Sequence, residues 1–149
     1  MTASYLVHAP SFAIATRLAA CWQCLQPMPM ASLGVPAGYR MIDDGEESTE
    51  PDVGTLTYIR SLNPEALDQV SRRAPSLGWR ASKTAGIEYL GNACSACGAL
   101  QGDHYLHSEP GAAFFPLNEK EMAEIAVDWI DTPLVAAVDG VSPDSDWLR

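Results

Sequence analysis

Basic residues are scarce. Nine Lys and Arg face nineteen Asp and Glu, a formal net charge of −10. Nucleic-acid affinity is built largely from Lys and Arg contacts to phosphates, so this balance argues against a nucleic-acid partner. Anionic membrane surfaces repel such a chain for the same reason. A basic protein is the partner class that the charge favours.

Long apolar runs are missing too. None reaches the roughly 18 residues of a membrane span. Leu18-Ala19-Ala20-Cys21 has the look of a lipoprotein cleavage box, but residues 1–16 contain no Lys or Arg, and Pro10 and Arg17 interrupt the apolar stretch. The positive segment of a signal peptide is therefore absent, and the expectation is a reducing, cytoplasmic setting. There cysteines in pairs read as metal ligands or redox centres rather than structural disulfides. No Gly-rich phosphate loop is present, since Gly98–Gly102 lacks the Lys-Ser/Thr that would follow it. Ser82-Lys83-Thr84 lacks the Ser-x-x-Lys spacing of a reactive serine, and His8 stands alone.

What is present is a set of four cysteines with none left over: Cys21-Trp22-Gln23-Cys24 and Cys94-Ser95-Ala96-Cys97. Two intervening residues let a tight turn aim both sulfurs at one ion, and two such turns supply the tetrahedral four-thiolate shell of a structural zinc site. Gly98 follows the second pair, where the turn favours positive φ. Leu25 stands at the matching place after the first. The same four thiolates could hold iron, which the spacing does not separate from zinc. Two other arrangements compete: a Cys94, Cys97, His104, His107 site, which strands Cys21 and Cys24, and a thioredoxin-like dithiol, for which one motif would suffice.

Cys94, Cys97 and Gly98 resemble the knuckle of zinc ribbons. The longer run from Tyr89 to Phe115 looks like segments of uncharacterised bacterial zinc-knuckle proteins. The resemblance implies a bound metal and no particular activity. The 69 residues between Cys24 and Cys94 exceed a simple ribbon and must hold structure of their own. The expected fold is a single α+β domain over residues 1–149, with short antiparallel strands around the cysteines and two or more helices.

Strands are expected within 4–20 and over 30–35, 54–60, 85–90 and 134–138. Residues 43–52 carry six carboxylates (Asp43, Asp44, Glu46, Glu47, Glu50, Asp52) and read as a solvated, mobile loop. Asn63-Pro64 opens a helix over 64–73, with Ala66, Leu67 and Val70 inward. Leu77-Gly78-Trp79 reads as a turn. Asn118 and Glu121 form a capping box for a second helix over 119–130, whose apolar face is Met122, Ile125, Ala126, Trp129 and Ile130. Residues 142–149 read as a tail, with Trp147 as a candidate contact surface.

Asp103, His104, His107 and Glu109 form the densest polar cluster, but no nucleophile or third ligand is placed with them. The expectation is therefore a non-enzymatic protein stapled by one structural zinc. It presents an acidic surface to a basic partner, by analogy with immunity or inhibitor proteins. A small enzyme using the 103–109 segment and a subunit of a larger assembly are the alternatives.

Overall fold

The computed structural model describes residues 4–143 and 145–149. The loose alternation of the first twenty residues resolves into strands β1 (Tyr5–Ala9) and β2 (Phe12–Ala20). Then follow β3 (Pro27–Val35), β4 (Arg40–Asp43), β5 (Glu46–Thr49), β6 (Gly54–Leu62), helix α1 (Pro64–Arg73), β7 (Leu77–Ser82) and β8 (Ile87–Ala93). The chain continues through β9 (Leu100–Gln101), α2 (Asp103–Ser108), α3 (Glu119–Ala123), β10 (Ala126–Ile130), β11 (Leu134–Ser142) and one 3₁₀ turn, Asp146–Leu148. Eight strands form one sheet in the order β10-β2-β3-β6-β11-β1-β4-β5, and β7-β8-β9 form a second. All pairings are antiparallel, so the fold is α+β as expected.

The first half of β2 (12–15) and the last two thirds of β3 (30–35) are buried on both faces. Successive strand residues point to opposite sides, so Phe12, Ile14, Leu33 and Val35 enter one core with Leu134, Val138 and the Ala66–Val70 face of α1. Ala13, Ala15, Met28 and Met30 enter the other, with Leu106, Phe114, Ile125, Trp147, Leu148, Cys21 and Cys94. Gly34 lies on the second side, where a Cβ would stand 2.6 Å from a methyl of Leu148. The missing side chain lets the C-terminal turn seat against the sheet.

β3 pairs with β6 only at Leu33–Val35, leaving its earlier half without a strand on that edge. The Asn92 side chain from β8 fills the gap. Its Oδ1 accepts the Ala31 N–H (2.8 Å) and its Nδ2 donates to the Ala31 carbonyl (2.9 Å), as a neighbouring strand would. Pro27 and Pro29 share Ala31's edge by strand alternation and have no N–H to satisfy, which is why two prolines are tolerated within β3.

Several expectations are corrected. The helix expected over 119–130 ends at Ala123, and Ala126–Ile130 pairs as a strand with β2. The cap itself is present, with Asn118 Oδ1 accepting the Glu121 N–H at 2.9 Å. The free edge of β2 decides the rest: Ile125 serves the second core and Ile130 the first, on opposite faces of the sheet. Trp129 is accordingly 43% exposed rather than core. Leu77-Gly78-Trp79 opens β7 instead of forming a turn, because it finds β8 as a partner. Residues 43–49 are not a loop but the end of a hairpin, and only 50–52 are irregular. Asp44 and Gly45, at φ 51° and 82°, make a tight turn of the kind hairpins favour, and Glu46–Thr49 pairs with β4. Trp147 is buried against Phe114 instead of standing exposed on a tail.

α1 has the expected bounds, but Asn63 does not cap it with its side chain. That amide instead accepts the Val135 N–H (2.8 Å) and donates to the Pro133 carbonyl (2.9 Å), tying the helix start to β11. Leu67 is half-buried while Ala66 and Val70 are buried. Among the described residues, no helix is long and apolar enough to cross a membrane.

Candidate metal centre

Each cysteine pair sits in the connection of a hairpin, Cys21 and Cys24 between β2 and β3, Cys94 and Cys97 between β8 and β9. The two turns repeat each other. Cys21 N–H donates to the Gln26 carbonyl (2.9 Å) and Leu25 N–H to the Cys21 carbonyl (3.0 Å). Cys94 N–H donates to the Ala99 carbonyl (3.0 Å) and Gly98 N–H to the Cys94 carbonyl (2.8 Å). Leu25 and Gly98 both adopt positive φ, 66° and 79°.

The four sulfurs lie within 4.8 Å of one another. The closest approaches run between the turns: Cys21 to Cys97 and Cys24 to Cys94, each 3.6 Å. Sulfurs about 2.3 Å from a central ion in a tetrahedron stand about 3.8 Å apart, so the cluster is shaped for one metal. All four cysteines are free.

Backbone N–H groups point at the sulfurs in the same order in both turns. Gln23 and Cys24 donate to Cys21, and Gln26 to Cys24. Ala96 and Cys97 donate to Cys94, and Ala99 to Cys97. The Cys24 N–H leads in drawing the Cys21 thiol down to about 6, against the opposing effect of burial. Cys94 is lowered likewise, led by the Cys97 N–H. At Cys97 the Ala99 N–H pulls down, but burial and the three neighbouring sulfurs outweigh it and push the thiol up to about 12. At Cys24 the Gln26 N–H also pulls down, yet burial and the Cys94 and Cys21 sulfurs raise the thiol on balance. The backbone N–H groups thus favour the thiolate most at the first cysteine of each turn, and a bound divalent cation would favour the thiolate at all four.

Gln101 is the residue that sequence reasoning missed. It is fully buried in β9. Its Nε2 donates to Cys21 Sγ (3.2 Å) and to the Ala99 carbonyl (3.0 Å), while its Oε1 accepts the Trp22 N–H (3.2 Å). One amide therefore joins both turns. Trp22 Nε1 adds a bond to the Leu100 carbonyl at 2.8 Å.

The polar segment after Cys97 is divided rather than gathered. The Asp103 carboxylate is buried and accepts the N–H of Tyr58, a residue held at φ 52° in β6 (2.7 Å). Burial raises the Asp103 carboxyl to about 7, with the Tyr58 N–H opposing. His107 stacks on Phe114, and burial lowers its imidazole to about 4. His104 and Glu109 are exposed. Neither histidine joins the cysteine cluster, so the mixed Cys94, Cys97, His104, His107 arrangement is not formed among the described residues. Ser32, Asp103 and His107 line one internal void of about 10 Å³. That is room for a single water, not for a substrate. No protein-family model, curated protein or solved structure matches the chain.

Proposed function

We propose that this is a non-enzymatic binding protein whose β-sheet scaffold is stapled by one structural zinc ion and whose acidic hairpin engages a basic protein partner, in the manner of an immunity or inhibitor protein. The observation that carries the reading is the closed set of four sulfurs. Catalytic zinc keeps a coordination position for water or substrate, whereas four cysteines fill the shell. The metal joins the β2–β3 hairpin to the β8–β9 hairpin, and so the two sheets.

The partner surface is supported by the β4–β5 hairpin. Every residue of β5 is exposed, and β5 forms the last strand of its sheet. Glu47 pairs with Arg40 at 3.2 Å and Asp52 with Arg149. Among the described residues, Asp43, Asp44, Glu46 and Glu50 have no cationic partner. A rigid hairpin with uncompensated charge steers a basic protein better than a mobile loop, because the charges keep their positions during encounter.

The test is association kinetics with a partner captured from the native cell. Replacing Asp43, Asp44, Glu46 and Glu47 with the neutral amides should slow association at low salt and flatten its salt dependence, with little change in dissociation. An unchanged association rate removes the hairpin from recognition.

A further inference from the structure

A cavity of about 310 Å³ opens beside the C-terminal turn, with no cysteine in its lining. Its walls are Phe114, Phe115, Pro116, Met122 and Trp147, with His107, Ser142 and Asp146 as its polar groups. Phe114 and Trp147 meet at 5.6 Å between ring centres, and His107 stacks on Phe114 at 5.2 Å. The wall is anchored to β2: the Arg17 guanidinium donates to the carbonyls of Ala112 (3.1 Å) and Ala113 (3.3 Å) and pairs with Glu124 at 2.9 Å. The cavity is therefore preformed.

We propose that this cavity binds a small organic cation, an alkylammonium group on a short apolar carrier. Among the described residues, Asp146 is the one lining side chain of formal charge, and it is acidic. His107 is neutral at ordinary pH because burial disfavours its charged form. Aromatic faces attract ammonium groups through their negative quadrupole, and Met122 adds polarizable surface. Arg149 approaches Asp146 at 3.5 Å but is also drawn to Asp52, so it compensates Asp146 only in part. An anion would meet Asp146 and the field of a chain at −10. This site shares no residue with the cysteine cluster, and its test is independent of the zinc reading.

The test compares choline with 3,3-dimethyl-1-butanol, which has the same shape without the charge. Each is titrated into the full chain while the indole N–H of Trp147 is followed by ¹H–¹⁵N NMR. Choline should shift that signal saturably and bind about fivefold or more tighter than the alcohol, within the range that cation–π contacts supply. Asp146 is largely exposed, so Asp146→Asn should fold normally. It should weaken choline by about threefold and leave the alcohol unchanged. The quadruple amide variant of the hairpin should bind choline as wild type does. Equal affinity for the two compounds, no saturable shift with choline, shifts confined to the hairpin, or full choline affinity in Asp146→Asn would each overturn the proposal.

Discussion

Leu25 and Gly98 occupy the same place in the two cysteine turns and the same left-handed backbone region, yet only one of them is glycine. In that region a Cβ crowds the following carbonyl, a cost of roughly 1–2 kcal/mol. Leu25 bears the cost because the turn needs its N–H on the Cys21 carbonyl. Its side chain is 72% exposed and contributes little in return.

Leu25→Gly should therefore stabilise the protein, by about 0.5–1 kcal/mol once the extra freedom of the unfolded glycine is deducted. Gly98→Ala should destabilise it by about 1 kcal/mol. A Cβ at residue 98 would meet nothing within 4 Å, so that loss is one of backbone conformation and not of packing. Chemical denaturation of both variants in the metal-loaded state checks the opposite signs. Equal effects of the same sign would show that the turns are not equivalent.

Gln101→Met keeps approximate volume but removes the amide that donates to Cys21 and spans both turns. Outer-shell losses of this kind typically weaken metal binding 10–100-fold. Competition with a chromophoric chelator measures it, and an affinity within twofold of wild type would assign Gln101 to packing alone.

Asp103 gives a pH dependence whose sign can be worked out. Its folded pKa, about 7, lies above the unfolded value. The neutral form is favoured in the fold, so this stability is fully present below the unfolded pKa and is lost as pH rises through about 7. Asn retains an acceptor for the Tyr58 N–H and cannot ionise. Asp103→Asn should therefore gain on the wild type as pH rises from 5 to 8, on the order of 1–3 kcal/mol by pH 8. Parallel stability curves for the two proteins over this range would contradict the assignment.

The local signals in the sequence were legible. Cysteine spacing identified the four residues that cluster, and Pro64 marked the start of α1. The Asn118–Glu121 cap was real, but the apolar spacing beyond it fits a strand as well as a helix, and only the free edge of β2 chooses between them. Asp44-Gly45 marks a hairpin, a cue masked by the charge around it. Asn92 at Ala31 and Gln101 at Cys21 act across 61 and 80 residues of chain. No local pattern distinguishes such an amide from one facing solvent.

The central claim is that the four cysteines hold one zinc ion that staples the two hairpins. X-ray absorption at the zinc edge, with elemental analysis of protein purified under reducing conditions, tests it directly. The account predicts one equivalent of zinc, four sulfur neighbours at about 2.3 Å, and loss of both metal and cooperative unfolding in Cys94→Ser. Protein without metal, a nitrogen or oxygen ligand in place of a sulfur, or a Cys94→Ser variant that keeps its zinc and melts with the wild type would contradict it.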